Sequence, residues 1–375
     1  MQTPLGAVEG IPGALTLQCG RVVNGEGGQS ASPAWVTIAD GRIVAVGAGV
    51  ASAGAVDLGD ALLTPGFVDV QVNGTARVDF ASASVDEVVA AVDALATRGT
   101  TGLLLTICSA PLPAYDAMLE RAALVRAARP HVVIGVHLEG PFLGGAPGAH
   151  PPAVLRPADP VFLDHVLDTY GDLVRLVTLA PEADPGLAAT RSLSERGVVV
   201  SLGHSTVDFD GARAAAEAGA RMVTHLFNGM GALHHRAPGL AGAGLDDGRL
   251  VPSVIADFVH VHPALVKLAL QARRDAVLVT DAVATAPPVV ERDGAAYLAD
   301  GTLAGSTLTM DVVLRNVVSI GVPIAAAVRH TTANPARVLG ASDRGRIAPG
   351  ARADLVALDP ITLSVRTVWV AGIPV

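Results

Sequence analysis

The sequence predicts a (β/α)8 barrel of the TIM type carrying a small β-sandwich domain formed by both chain ends. Three observations lead there. Eight apolar, β-branched runs alternate with helical periodicity through the middle of the chain. Short strand-like segments without helices occupy the first sixty and last thirty residues. Half of the 375 residues are apolar but only 3% are aromatic, a mixture suited to buried parallel strands covered by Ala-rich helices.

The first strands are expected at Ala14 to Leu17, Trp35 to Ala39 and Arg42 to Val46, the last two joined by Asp40-Gly41, a two-residue hairpin signal. The C-terminal end returns to this style with Asp354 to Leu358, Thr367 to Val370, an Ala371-Gly372 turn and Pro374-Val375. The domain boundaries expected are residues 1–63 and 341–375 for the two halves of the β domain, and 64–340 for the barrel.

The eight barrel runs are Phe67 to Val72, Gly102 to Ile107, Val132 to Leu138, Leu173 to Leu179, Val198 to Leu202, Met222 to Leu226, Pro252 to Ala256 and Ala276 to Thr280. Helices are expected around Val88, Val92 and Leu95, and over Asp159 to Tyr170, Arg191 to Arg196, Ala212 to Ala218 and His262 to Ala272. Met310 to Ile320 and Ile324 to Leu339 supply closing helices. The glycine-rich connection from Asn228 to Arg249, with His234, His235 and Arg236, reads as a long functional loop where the sixth helix should begin.

The formal charge is -9 and no block of Lys and Arg occurs, so the electrostatic footprint for nucleic acid or an anionic membrane is missing. No apolar run approaches the roughly 18 residues that span a bilayer, and the N-terminus lacks a secretion signal, so the cytoplasm is expected. Cys19 and Cys108, outside any Cys-x-x-Cys pattern, are read as reduced, buried thiols.

In a barrel of this kind the chemistry sits at the C-terminal ends of the strands. Glu139 follows the third run directly, the fifth leads to His204, the sixth contains His225, and Asp281 follows the eighth. Two imidazoles and one carboxylate suit zinc or a related divalent ion with a position left for water, so Glu139, His204 and His225 are the expected ligands. Gln71 and Asn73, two apart on the first strand, both face the barrel interior. Neutral amides are weak ligands, which predicts one ion with these two as orienting or substrate contacts. His137 is expected to be a hydrogen-bonded inner-layer residue. Asp281 is placed to take a proton from water and deliver it to a leaving nitrogen.

Together these motifs resemble the N-acetylglucosamine-6-phosphate deacetylases of the amidohydrolase superfamily. The resemblance rests on Thr64 to Asp69, His137 to Phe142, Gly148 to Pro151, Gly203 to Ser205, Thr224 to Met230, and His234 to Arg236 leading to Pro238-Gly239-Leu240. It continues through Asp257 to His260, Val279 to Ala282, Leu303 to Ser306 and Gly345 to Asp354. It implies removal of acetyl from a phosphorylated amino sugar, with one divalent ion per subunit, zinc first and Co, Mn, Fe or Ni as alternatives. Glu139, His204 and His225 match the family's ligands and Asp281 its general acid/base. His150 matches a residue that contacts substrate and polarises the amide carbonyl, and His260 another sugar contact. Asn228, the backbone at Gly229, and Arg236 match the phosphate-binding positions. The arginine reaches across a dimer interface in the family, so a homodimer is implied. The sequence departs from the pattern at Thr75-Ala76-Arg77, where glycines are usual, and at Phe258, where a small residue is usual.

Overall fold

The computed structural model describes residues 13–30, 32–286 and 289–375. They divide into two compact units. One holds the described residues up to Val68 with Ala94–Gly102 and Met310–Val375, and the other Asp69–Asp93 and Leu103–Thr309.

In the first unit, a four-stranded sheet runs in the order Arg42–Ala48, Ala34–Ala39, Leu15–Cys19, Val56–Asp57. A five-stranded sheet runs Arg21–Val22, Leu62–Pro65, Leu355–Leu358, Val365–Val370, Ile373–Pro374, so strands from both chain ends pair in one sheet. Alternation along the strands sends Leu17, Cys19, Val36, Ile38, Ile43, Leu63, Leu355, Ala357 and Trp369 into one apolar core. Removing each such side chain from water contributes roughly 1.5–3 kcal/mol for the larger aliphatics. The Asp40-Gly41 turn has φ of 50° and 70°, the two left-handed residues that a tight hairpin requires.

The barrel strands are β1 (Phe67–Val72), β2 (Thr100–Cys108), β3 (Val133–Glu139), β4 (Val174–Leu179), β5 (Val199–Leu202), β6 (Met222–Val223), β7 (Val251–Ile255) and β8 (Val277–Val279). They lie side by side in chain order, and consecutive strands from β2 onward pair in parallel registers. Closure comes from the ends: Asp281 N donates to Gln71 O at 2.9 Å and Asn73 N to Ala282 O at 2.7 Å. This closure is what sets the amides of β1 beside Asp281.

Helices follow the strands at Val85–Thr97, Tyr115–Ala128, Pro160–Tyr170, Ala188–Glu195, Phe209–Ala218, Gly239–Asp246 and Pro263–Ala272. Asp159 and Asp208 cap two of them, accepting from Phe162 N at 3.1 Å and Gly211 N at 2.8 Å. Among the described residues, no helix is long and apolar enough to cross a membrane.

Several elements differ from expectation. The expected sixth strand stops at Val223 because the chain turns sharply beyond it, with His225 and Phe227 at φ of 32° and 79°. The Asn228 to Arg249 connection contains the short helix Gly239–Asp246. The last expected helix is two, Ile324–Thr331 and Ala333–Val338, because the Pro335 ring has no N–H to continue the ladder to Thr331. Tyr115–Ala128 and the three-stranded antiparallel sheet of Val290–Arg292, Ala295–Tyr297 and Leu303–Ser306 were not anticipated.

Candidate metal centre and active site

The C-terminal ends of the barrel strands converge on a cavity of about 400 Å³. Glu139 closes β3, while His204, His225 and Asp281 each lie two residues past the ends of β5, β6 and β8. All four are buried, and His204, His225 and Asp281 have positive φ of 50°, 32° and 47°. Non-glycine residues adopt this backbone only where the surroundings enforce it, and here it aims each side chain inward.

Glu139 Oε1 lies 3.2 Å from His204 Nε2 and 3.2 Å from His225 Nε2, and the two imidazole nitrogens are 3.0 Å apart. Each ring's other nitrogen faces a carbonyl: His204 Nδ1 the Ala146 oxygen at 3.1 Å, and His225 Nδ1 the Asn228 oxygen at 3.1 Å. A carbonyl only accepts, so both Nδ1 atoms carry the proton and, in neutral rings, both Nε2 lone pairs point at each other and at a carboxylate. Three convergent lone pairs repel unless a cation lies between them. Tetrahedral zinc with bonds of about 2.0–2.1 Å spaces its ligand atoms about 3.3 Å apart, close to the triangle seen here. The donor set therefore fits a divalent metal. Without an ion, the triangle is relieved only by a further proton on an imidazole Nε2, which then donates to Glu139. Burial alone would raise the Glu139 carboxyl, but such protonated His204 and His225 rings outweigh it and hold the group well below the ordinary carboxylate range.

Gln71 ties the two acids together. Its Nε2 donates to Glu139 Oε1 at 2.9 Å and to Asp281 Oδ1 at 3.1 Å, one hydrogen to each. Asn73 Nδ2 donates to the same Asp281 oxygen at 2.8 Å. Burial, and then the negative charge of Glu139, raise the Asp281 carboxyl above its ordinary value, and the nearby His225 and His260 together with the Asn73 amide only partly offset this. Asp281 thus stands beside the donor triangle as a buried carboxyl held by two side-chain amides.

His150 lines the cavity with Nδ1 2.8 Å from Ser109 Oγ and Nε2 4.0 Å from Glu139 Oε2, and burial lowers its pKa to about 4, keeping the ring neutral. His260 Nδ1 is held 2.5 Å from Asp257 Oδ2. Asn228 and Gly229 also line the cavity, and the Gly229 backbone, at φ 57°, passes so close that a Cβ there would lie 2.8 Å from His204 Nδ1. Arg236 is not brought in: it is exposed, with Nη1 2.8 Å from His235 Nε2. His137 sits below the cavity, its Nε2 2.8 Å from Thr178 Oγ1, and burial lowers its pKa to about 4.

Of the two departures from the family pattern, Ala76 is a left-handed turn residue whose carbonyl accepts from Thr285 Oγ1 at 3.0 Å, and Phe258 has φ 67°. The sequence reading missed Cys108. Cys19 is a buried free thiol as expected, but the half-buried Cys108 lines the cavity with Sγ 3.7 Å from Glu139 Oε2. Its place as the last residue of β2 was the available signal.

A model of the amidohydrolase family matches residues 62–374, and the chain belongs to that family. The N-acetylglucosamine-6-phosphate deacetylase of Bos taurus is 39% identical over 344 residues, 84% of each chain. The N-acetylgalactosamine-6-phosphate deacetylase of Escherichia coli O157:H7 is 39% identical over 328 residues, 83% of this chain and 87% of that one. The crystal structure of the N-acetyl-D-glucosamine-6-phosphate deacetylase of Mycobacterium smegmatis superposes with a TM-score of 0.90 at 38% identity, covering 96% of this chain and 100% of that one. Within the amidohydrolases, the chain groups with the N-acetylglucosamine-6-phosphate deacetylases.

Proposed function

We propose that the chain hydrolyses the acetamide of N-acetyl-D-glucosamine 6-phosphate to acetate and glucosamine 6-phosphate. The observation that carries this reading is the Gln71 amide bridge, which sets a proton-exchanging carboxyl, Asp281, beside a three-donor triangle at the barrel mouth. Glu139, His204 and His225 would hold one divalent ion per subunit, and the mixed N/O set favours zinc over Co, Mn, Fe or Ni. Such an ion supplies Lewis acidity, lowering the pKa of a water and polarising an amide carbonyl.

The chain's own groups supply the rest. Asp281, as carboxylate, takes a proton from the attacking water; protonated, it returns that proton to the amide nitrogen as the C–N bond breaks. Neutral His150 donates from Nε2 to the acetyl oxygen. Gln71 and Asn73 hold Asp281 in place through its Oδ1. His260, fixed by Asp257, contacts the sugar. Asn228 and the Gly229 backbone contact the phosphate, joined by Arg236 of the partner subunit in a homodimer, where a planar guanidinium matches phosphate oxygens. The domain roles proposed are a barrel over 64–340 framed by a β domain from 1–63 and 341–375, in a cytoplasmic enzyme without nucleic-acid or membrane partners.

The equal identity to a galactosamine-type relative favours N-acetylgalactosamine 6-phosphate as a second substrate. Acetate release measured on both phosphorylated sugars and on unphosphorylated N-acetylglucosamine tests the reading. Turnover confined to phosphorylated sugars, fastest on the gluco form, supports it; equal kcat/KM with and without phosphate contradicts it.

A further inference from the structure

The Glu139 carboxylate faces two donor sets at once. Oε1 completes the triangle with His204 and His225, while Oε2 points the other way, 3.7 Å from Cys108 Sγ and 4.0 Å from His150 Nε2. The ligand atoms of Cys108, Glu139 and His150 all lie within 4.8 Å of one another. We propose that these three residues form a second cation site, adjoining the first across the Glu139 carboxylate, that takes a thiophilic divalent ion such as Zn²⁺ or Cd²⁺ and shuts off turnover. The proposal rests on Glu139, His204 and His225 being the ligands of the first ion.

The chemistry of each donor suits the role. A sulfur, an imidazole nitrogen and a carboxylate oxygen select zinc-like ions over magnesium or manganese. Asn73 adds a fourth group: its Nδ2 is committed to Asp281 at 2.8 Å, which turns its carbonyl Oδ1 toward Cys108 Sγ at 3.1 Å. Ser109 serves either tautomer of His150, because its hydroxyl oxygen can accept from Nδ1–H at 2.8 Å and its N–H can donate to Nδ1 at 3.4 Å. With Nδ1 protonated, the Nε2 lone pair is available to a cation; with Nε2 protonated, the ring is the donor to substrate. Ion binding breaks the Cys108 S–H bond, forms a sulfur–metal bond and passes the proton to solvent, with no change of oxidation state. An ion held there removes His150 from its substrate role, so the expected consequence is inhibition by excess metal.

The test is a titration of the one-ion holoenzyme with Cd²⁺, followed by the thiolate-to-metal charge-transfer absorption, by elemental analysis and by residual turnover. The expected result is uptake of a second equivalent with a charge-transfer band and progressive loss of turnover. In Cys108→Ser the band should vanish and the second ion should bind at least about tenfold more weakly, since losing even a group that only orients a ligand costs about 10–100-fold. A wild-type protein that stops at one equivalent, takes a second without the band, or is inhibited as strongly in Cys108→Ser overturns the proposal. His225→Ala separates the two readings. If it loses the first ion while wild type takes no second, only the second site fails; if it keeps the first ion at full affinity, the primary ligand assignment has failed.

Discussion

In Asp281→Asn the side chain keeps its shape, and its amide oxygen can still accept from Gln71 and Asn73, the bonds that lie at 3.1 and 2.8 Å in the parent. The substituted NH2 takes the place of Oδ2, so neither the barrel closure nor the Glu139 triangle has reason to move. What disappears is the ability to accept and return a proton. General acid/base catalysis contributes about 10²–10⁴-fold, so kcat should fall by that factor, roughly 2.7–5.4 kcal/mol in barrier. Stability should not fall, because burial already disfavours the charged carboxylate at this position. The assay is kcat for amine formation, with metal content and thermal midpoint measured on the same sample. A variant that retains its ion and its midpoint but turns over within about tenfold of the parent refutes Asp281 as the proton carrier.

Three further outcomes follow, the first from the proposed phosphate role of Arg236 and the others from the geometry. Arg236→Ala should raise KM for the phosphorylated substrate about 10- to 150-fold with little change in kcat, the loss of a charge-assisted bond of about 1.5–3 kcal/mol; an unchanged KM removes Arg236 from the phosphate site. Gly229→Ala should weaken ion binding at least about tenfold, because the new Cβ would crowd His204 Nδ1 at 2.8 Å and His225 Cε1 at 3.3 Å; a variant with undiminished ion content shows the loop yields freely. Asp69 governs a pH dependence of stability: burial pushes its carboxyl up to about 7, so the folded protein keeps a proton that the unfolded chain loses near 4. Its contribution is complete below about pH 4 and is lost as pH rises through about 7, on the order of 4 kcal/mol in all. Denaturant unfolding of Asp69→Asn should show that slope flattened, and an unaltered slope assigns it elsewhere.

The barrel was legible because buried parallel strands read as unbroken apolar runs: every residue of β1 is buried, as are the first eight of β2. The Glu139, His204, His225 and Asp281 set was legible because the C-terminal ends of such strands are where chemistry collects. What lay beyond the sequence was backbone conformation. Met222 to Leu226 has a strand's composition, yet the chain leaves the sheet after Val223 into the positive-φ turn that aims His225, a tertiary demand that local preference does not encode. Tyr115–Ala128 escaped notice because its buried face, Tyr115, Leu119, Ala122 and Val125, includes an alanine and is interleaved with further alanines, which blurs the apolar stripe. The Leu62–Pro65 pairing with Leu355–Leu358 spans almost the whole chain, and a strand of four buried residues has no alternation to announce it. Cys108 was passed over because a cysteine outside a pairing motif reads as packing until its neighbours are known.

The most direct test of the whole scheme is stoichiometric. Chelator-stripped protein is titrated with zinc while acetate release from N-acetylglucosamine 6-phosphate is followed. If Glu139, His204 and His225 hold the essential ion, the stripped protein is inactive, turnover returns linearly to one equivalent per chain, and His204→Ala recovers neither ion nor rate at that stoichiometry. Full turnover in the stripped protein, or recovery in His204→Ala indistinguishable from wild type, would contradict it.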